Sequence, residues 1–336
     1  MDRVAILGFG SSGQRFLELV KRWNPNAQVL VYSSRKLASD GLNATTRLRD
    51  VTAFEPEIAV VCGSATDRLA MIAVLPPSLR GVLIEKPLAT DPELAQKVLQ
   101  LMDGTTTVAQ VGYNLRFSPS LIDFRRRLAG GELGSVCSVR AETGQFLPNW
   151  RPDRDYRYTV SAQAALGGGV LLELSHEIDY LQWLFGKIEW VSAVVRRQSE
   201  LEIDVEDTAH LTLGFVVSGE GKQLVGQVNL DFLRHDSTRS VTAVCSDGSL
   251  RWDGVAGRVE ALKGGQSSWE TVFSDEIAPS THDLQWEAFI SAVRGSRSPG
   301  ATVSDGLSVL QVVSAARLSS DGGGTKTSVF AGSAAQ

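Results

Sequence analysis

Residues 3–13, RVAILGFGSSG, decide how the rest of the chain is read. The apolar run RVAIL ends in three glycines within six residues, Gly8, Gly10 and Gly13. Glycine packs nothing and loses more conformational freedom on folding than any other residue, so three together need a reason. The segment that follows, GQRFLELVKRW, carries apolar residues at helical spacing and predicts a helix from about Gln14. In a strand–turn–helix of this kind Gly8 permits the tight turn and Gly10 lets the backbone approach a pyrophosphate. Gly13 allows close helix–strand packing. The helix N-terminus, with Ser11 and Ser12 beside it, offers amides and a partial positive charge to phosphates. The alternative is a glycine turn without a ligand, and the flanking strand and helix favour the cradle.

The same alternation continues outward to about Val111. QVLVYS, IAVVCGS, GVLIEKP and TTVAQVGY are short, mostly β-branched runs, separated by helical stretches such as ATDRLAMIAVL and DPELAQKVLQLMD. Strands buried on both faces and alternating with helices predict an α/β fold, a doubly wound Rossmann-type sheet. Beyond Tyr113 the pattern changes. SVCSVRAETGQF, WVSAVVRRQS, TAHLTLGFVV, QLVGQVNLDFL, RSVTAVCS and GSLRWD follow one another with turns, which predicts a second α/β domain with an open, mostly antiparallel sheet having one wet face. GGGVLLELSHEIDYLQWLFG and THDLQWEAFISAVRG are helical insertions, SDGLSVLQVVSAARLSS is a last helix, and the Gly-rich tail after it is expected to be loosely held. The expected domains are 1–113 for dinucleotide binding and 114–330 for substrate binding and oligomerisation.

The bulk numbers exclude several classes. A net charge of -5 over 336 residues speaks against nucleic acid or an anionic membrane as the main partner. Cys62, Cys137 and Cys245 are too few and too scattered for a disulfide framework or a thiolate metal site, and no HxxxH or CxxC occurs. Glu173 and His176 lack a third ligand, and His210, His235 and His282 have no ligand spacing, so no metal is expected. MDRVAIL lacks the marks of a signal peptide, and no run approaches the ~20 apolar residues of a membrane span. A soluble cytoplasmic protein is expected.

At the end of the second strand stands VYSSRK, where an acidic residue would favour NAD by bonding the ribose hydroxyls. Ser33, Ser34 and Arg35 offer instead small hydroxyls and a guanidinium suited to a 2′-phosphate, so NADP is expected in preference to NAD. The alternative is a solvated basic loop.

GVLIEKPLA, VGYNLRFSP, GGGVLLELSHEIDYLQWLFG and GSLRWD, in this order behind the glycine fingerprint, resemble the Gfo/Idh/MocA oxidoreductases over nearly the whole chain. The resemblance implies hydride transfer between NAD(P) and a hydroxyl or keto carbon of a sugar, sugar derivative or cyclitol held between the domains. It implies that Lys86 of EKP, with Glu85 beside it, is the active-site lysine. Gly63, Ser64 and Thr66 match the loop beside the nicotinamide ribose, although Ala65 replaces a common proline and Leu69 a frequent histidine. Asn114 and Arg116 in YNLRF and Asp179 in EID match positions that face substrate. His176 matches the catalytic histidine. The family's aspartate four residues ahead is here Leu172, while Glu173 lies three ahead. A carboxylate at either spacing shares a helix face with the histidine, so the pair is expected to survive with altered geometry. A homodimer or homotetramer through the C-terminal sheet is expected. A redox-neutral, glycosidase-like enzyme and a non-catalytic dinucleotide sensor are the alternatives.

Read for chemistry alone, Lys86 at a buried strand end suits stabilisation of a developing alkoxide, and an imidazole at His176 suits exchange of a hydroxyl proton near neutrality. GQFLPNWRPDRDYRY, residues 144–158, is rich in groups that recognise polyols and anions. Trp150, Tyr156 and Tyr158 are placed to stack on a sugar face. Arg151, Arg154 and Arg157 are placed to clamp an anionic substrate, unless Asp153 and Asp155 neutralise them within the loop.

Overall fold

A computed structural model describes residues 1–37, 41–217, 222–275, 279–296 and 300–330. The chain divides into two compact units, Met1–Asn114 with Thr281–Leu310, and Leu115–Ser280 with Gln311–Gln336.

In the first unit β1 (Arg3–Leu7), α1 (Ser11–Trp23), β2 (Gln28–Tyr32), β3 (Ala44–Thr45), α2 (Arg49–Phe54) and β4 (Ile58–Val61) follow in sequence. After them come α3 (Arg68–Ala73), β5 (Gly81–Ile84), α4 (Pro92–Met102) and β6 (Val108–Val111). The six strands are parallel in the order β3-β2-β1-β4-β5-β6, the doubly wound arrangement expected from the sequence. Val4–Leu7, Ile58–Val61 and Val82–Ile84 have no exposed surface, which is why their runs are continuously apolar rather than alternating. Local signals set helix boundaries: Asp91 caps α4 by accepting from Leu94 N (2.8 Å), with Pro92 in the first turn. The strand order reverses between β1 and β4, and ligands of such sheets bind outside the carboxyl ends there.

The second unit begins with α5 (Pro119–Gly130), capped by Ser118 and closed by Gly131 in the left-handed region. Then come β7 (Val136–Gly144), α6 (Val170–Glu173), α7 (His176–Phe185), β8 (Ile188–Arg196), β9 (Thr208–Phe215) and β10 (Val225–Asp231). The hairpins β11 (Thr238–Cys245), β12 (Gly248–Asp253), β13 (Arg258–Lys263) and β14 (Glu270–Ser274) complete this stretch. The sheet is antiparallel except where β10 runs parallel to β7. Arg140 and Glu142 on β7 and Gln227 and Asn229 on β10 are exposed, whereas Val139, Ala141, Val228 and Leu230 are buried. One wet face is therefore present, as the alternation predicts.

Two segments depart from the sequence reading. Helix α8 (Thr281–Val293), expected within 114–330, belongs to the first unit. Trp286 and Phe289 of α8 join Phe16 and Val20 of α1 and Val4, Ile58 and Leu83 of the sheet in one buried cluster. Gly81 makes room for it: a Cβ there would stand 2.4 Å from Val293 and 3.0 Å from Phe289. Helix α9 (Val303–Asp321) contributes its first turns to the first unit and the remainder to the second. The tail after α9 is held, not loose, as far as Phe330. β15 (Thr327–Ser328) pairs with β8, while Gly324 O accepts from Ser192 Oγ (2.6 Å) and Val329 N donates to Glu189 O (2.9 Å). Residues 331–336 lie outside the described residues. The nine strands of this sheet run β14-β13-β12-β11-β7-β10-β9-β8-β15.

Candidate functional site

The three glycines of the first turn have different causes. Gly8 has φ +101, and a Cβ on it would stand 2.4 Å from Gly63 N. A Cβ on Gly13 would stand 2.1 Å from Gly8 O. The chain's own backbone requires both. Gly10 is extended (φ -77) and a Cβ there would meet nothing within 4 Å, so the fold itself does not demand glycine. Helix α1 begins at Ser11, earlier than predicted, so Ser11, Ser12 and Gly13 form its first turn. Gly10 caps it without a side chain, and no acidic residue lies in that turn. First-turn amides have no partner inside the helix and carry the positive end of its dipole. The open space at Gly10 and this uncapped helix fit the pyrophosphate of a dinucleotide.

After β2, Ser33 is buried, donates its amide to Thr45 O (3.0 Å), and accepts from Arg35 N (3.2 Å) through its hydroxyl. That turn leaves Ser34 and Arg35 exposed beside the strand end.

The ends of β4 and β5 carry the next group. Ser64 Oγ donates to Asp67 Oδ2 (2.5 Å) and shares a hydrogen bond with Thr66 Oγ1 (3.0 Å), which shapes the loop after Gly63. Glu85 turns back on its own chain: its Oε2 accepts from Lys86 N (3.2 Å), and a Cβ on Gly112 would stand 3.1 Å from it. Lys86 is half-buried and precedes a cis proline, Pro87. The sequence reading missed Arg68. This residue is 5% exposed, and its Nε donates to Gly63 O (3.2 Å) and its Nη2 to Lys86 O (3.0 Å). The nearby Cys62 thiol is pushed well above its ordinary pKa by burial and then by the Glu85 carboxylate, so it stays protonated.

In the second unit the helical insertion GGGVLLELSHEIDYLQWLFG is broken into two helices. α6 ends at Glu173, Leu174 leaves the helical region (φ -97, ψ 28), and α7 starts at His176. Glu173 and His176 therefore stand on two successive helices, not on the single helix from which the spacing was read. They have another property in common. Between Val170 and Leu181 every residue but these two is buried. Glu173 Oε2 accepts from Ser161 Oγ (3.0 Å). The glycines ahead of them admit the chain's own atoms: a Cβ on Gly168 would stand 2.2 Å from Val160 O, and one on Gly169 (φ +105) 2.6 Å from the Glu206 carboxylate.

The polar side chains that follow His176 on α7, Glu177, Asp179 and Tyr180, are buried. Arg239 and Thr143 face each other across β11 and β7, and Glu177 meets both, accepting from Arg239 Nε (2.8 Å) and Thr143 Oγ1 (2.9 Å). Tyr180 stacks edge-on against Trp252 (5.5 Å), and burial, reinforced by the Glu177 charge, pushes its hydroxyl pKa well up. Arg116 and Asp179, both read as substrate ligands, form a buried bidentate pair, Nε–Oδ2 2.9 Å and Nη2–Oδ1 2.7 Å. Asn114 donates to Thr281 Oγ1 (2.5 Å).

The loop 144–158 also turns inward more than its composition predicts. Trp150 packs edge-on to Phe232 (5.2 Å), and its Nε1 donates to Gln145 O (3.0 Å), so this ring is part of the fold. Tyr156 OH accepts from Glu202 N (3.2 Å). Arg157 is engaged by Asp155 (2.7 Å) and Glu202 (2.9 Å), and its bonds hold the Asp155 carboxyl below the usual range. Arg151 and Arg154 are exposed and form no ion pair among the described residues, and Tyr158 is 77% exposed. Among the described residues no cluster of three or more His, Cys, Asp or Glu has metal-binding geometry, and no helix is long and apolar enough to cross a membrane.

Comparisons with known proteins agree with this fold. Residues 3–113 match the family model described as "Oxidoreductase family, NAD-binding Rossmann fold", and residues 125–327 match "Oxidoreductase family, C-terminal alpha/beta domain". The chain is 24% identical over 327 residues to the rhizopine catabolism protein MocA of Rhizobium meliloti, covering 94% of this chain and 93% of that one. It is 28% identical over 258 residues to inositol 2-dehydrogenase 2 of Saccharopolyspora erythraea, covering 70% and 66%. A solved levoglucosan dehydrogenase, in complex with NADH and levoglucosan, superposes with a TM-score of 0.82 at 17% identity, covering 97% and 98%, which shows a shared fold.

Proposed function

The chain belongs to the Gfo/Idh/MocA oxidoreductase family, and on that premise we propose that it is an NADP-preferring dehydrogenase of a sugar or cyclitol CH–OH group. Gly10 carries the reading. Neither its backbone conformation nor its neighbours require glycine, and the space it leaves open adjoins an uncapped helix N-terminus. Bound nicotinamide would supply the hydride acceptor. In the oxidative direction His176 takes the hydroxyl proton and Lys86 stabilises negative charge on the oxygen. Glu173, partly exposed as His176 is, tunes the imidazole. Ser34 and Arg35, with no carboxylate at the end of β2, favour the 2′-phosphate of NADP.

Similar proteins are named for inositol and levoglucosan, so uncharged polyols head the candidate substrates. The case for an anionic substrate is narrower than the composition suggested. Arg157 is paired with Asp155 and Glu202, which leaves Arg151 and Arg154. The exposed face of the nine-stranded sheet is proposed as the dimer or tetramer contact. The test is calorimetry with NADPH and NADH, followed by absorbance assays with NADP+ and a panel of myo-inositol, scyllo-inositol, levoglucosan and sugar acids. NADPH is expected to bind at least about tenfold tighter, a difference of about 1.4 kcal/mol, and R35A to shrink that preference. Tighter binding of NADH would refute the cofactor assignment. Tightly held cofactor with no net NADPH change across the panel would refute the dehydrogenase.

A further inference from the structure

The final rung of the β4–β5 ladder runs from Glu85 N to Val61 O (2.9 Å). Past it the two chains leave the sheet as the Gly63 loop and the Lys86–Pro87 segment. Arg68, in the first turn of α3, reaches across this gap and donates to the carbonyls of both Gly63 and Lys86. Burying a guanidinium is costly unless its bonds are well formed, and an apolar residue at that position would fill the volume at less expense. A guanidinium differs from an ammonium in being a rigid planar fork, so its two bonds fix the separation and orientation of the groups they join. Both acceptors here are backbone, one belonging to the residue whose side chain is read as catalytic.

We propose that Arg68 is a positioning residue for Lys86: by pinning the Lys86 carbonyl to the Gly63 loop, it gives the lysine side chain a single point and direction of departure. The proposal rests on the catalytic reading of Lys86 only for its consequence in turnover. The clamp itself is a property of the first unit.

The experiment compares the full-length protein, loaded with NADPH, as wild type, R68A, R68K and K86A. Lysines are labelled by reductive 13C-methylation, and the Lys86 signal is identified by its loss in K86A. The expected result is one sharp Lys86 signal in the wild type that shifts and broadens in R68A. Ethylguanidinium should restore it by refilling the site, and ethylammonium should not. R68K keeps the stem and the charge but lacks the fork, so it is expected to show the same broadening; it carries the test if R68A does not fold. A Lys86 signal in R68A and R68K indistinguishable from the wild type would overturn the proposal. In turnover R68A should lower kcat at least about tenfold, with the NADPH dissociation constant within about threefold. In the K86A background R68A should lower the residual rate less than about twofold, because it acts through the missing side chain. A loss undiminished in that background would overturn positioning through Lys86. If K86A itself turns over normally while R68A still broadens the Lys86 signal, the catalytic reading of Lys86 fails and the clamp stands.

Discussion

Acidification from pH 7.5 to 5 should loosen α8 from α1, and His282 is the reason. Its Nε2 accepts from Arg15 Nη1 at 2.8 Å, which requires the neutral imidazole with that nitrogen unprotonated. Burial, and then the Arg15 charge, push its pKa down from 6.5 to about 4. Between these values the unfolded chain binds a proton that the folded one refuses. The stabilisation is therefore complete above pH 6.5 and is lost as the pH falls toward 4. At about 1.4 kcal/mol per pKa unit the whole window amounts to roughly 3 kcal/mol, of which about 2 kcal/mol is gone by pH 5. H282Q keeps an acceptor for Arg15 and removes the titration. Denaturant unfolding, followed by hydrogen exchange in α8, should show the wild type losing about 2 kcal/mol more than H282Q between pH 7.5 and 5. The chain has four histidines, so the missing ring signal in H282Q assigns the His282 resonance, which should titrate near 4. A midpoint near 6.5, or equal losses in the two proteins, would refute the reasoning.

The two glycines at the head of α1 should both lose NADPH affinity on substitution by alanine but differ in melting. G10A meets open space, so melting should be unchanged while the NADPH dissociation constant rises at least about tenfold; G13A meets Gly8 O at 2.1 Å and should melt several degrees lower as well as binding poorly. R239M leaves the buried Glu177 carboxylate without its cation and should cost about 3–5 kcal/mol by urea unfolding, much of it recovered in E177Q/R239M.

Most of the first sheet was readable because its strands are buried on both faces, so apolar runs and glycine turns carry the whole signal. The return of α8 was not, since THDLQWEAFISAV has the same apolar content whichever sheet it covers. Gly81 marks its landing place, but a single glycine at a strand start has many causes. The break at Leu174 was hidden because the apolar run continues at helical spacing through it. Arg239 was within reach: in RSVTAVCS it shares parity with Val241, Ala243 and Cys245, all of which face inward, and a charge in that row needs a buried partner. Adjacent glycines admit a close approach, and at Gly168 and Gly169 what approaches is the chain itself. Arg68 left no such trace, because only the fold brings Gly63 and Lys86 within reach of one guanidinium.

The most direct test of the account is turnover of the polyol panel by H176A beside the wild type, with NADPH affinity measured on both. The account predicts net reduction of NADP+ by the wild type, a loss of at least about 100-fold in H176A, and an NADPH dissociation constant unchanged within about threefold. An H176A enzyme that retains most of its turnover would contradict it.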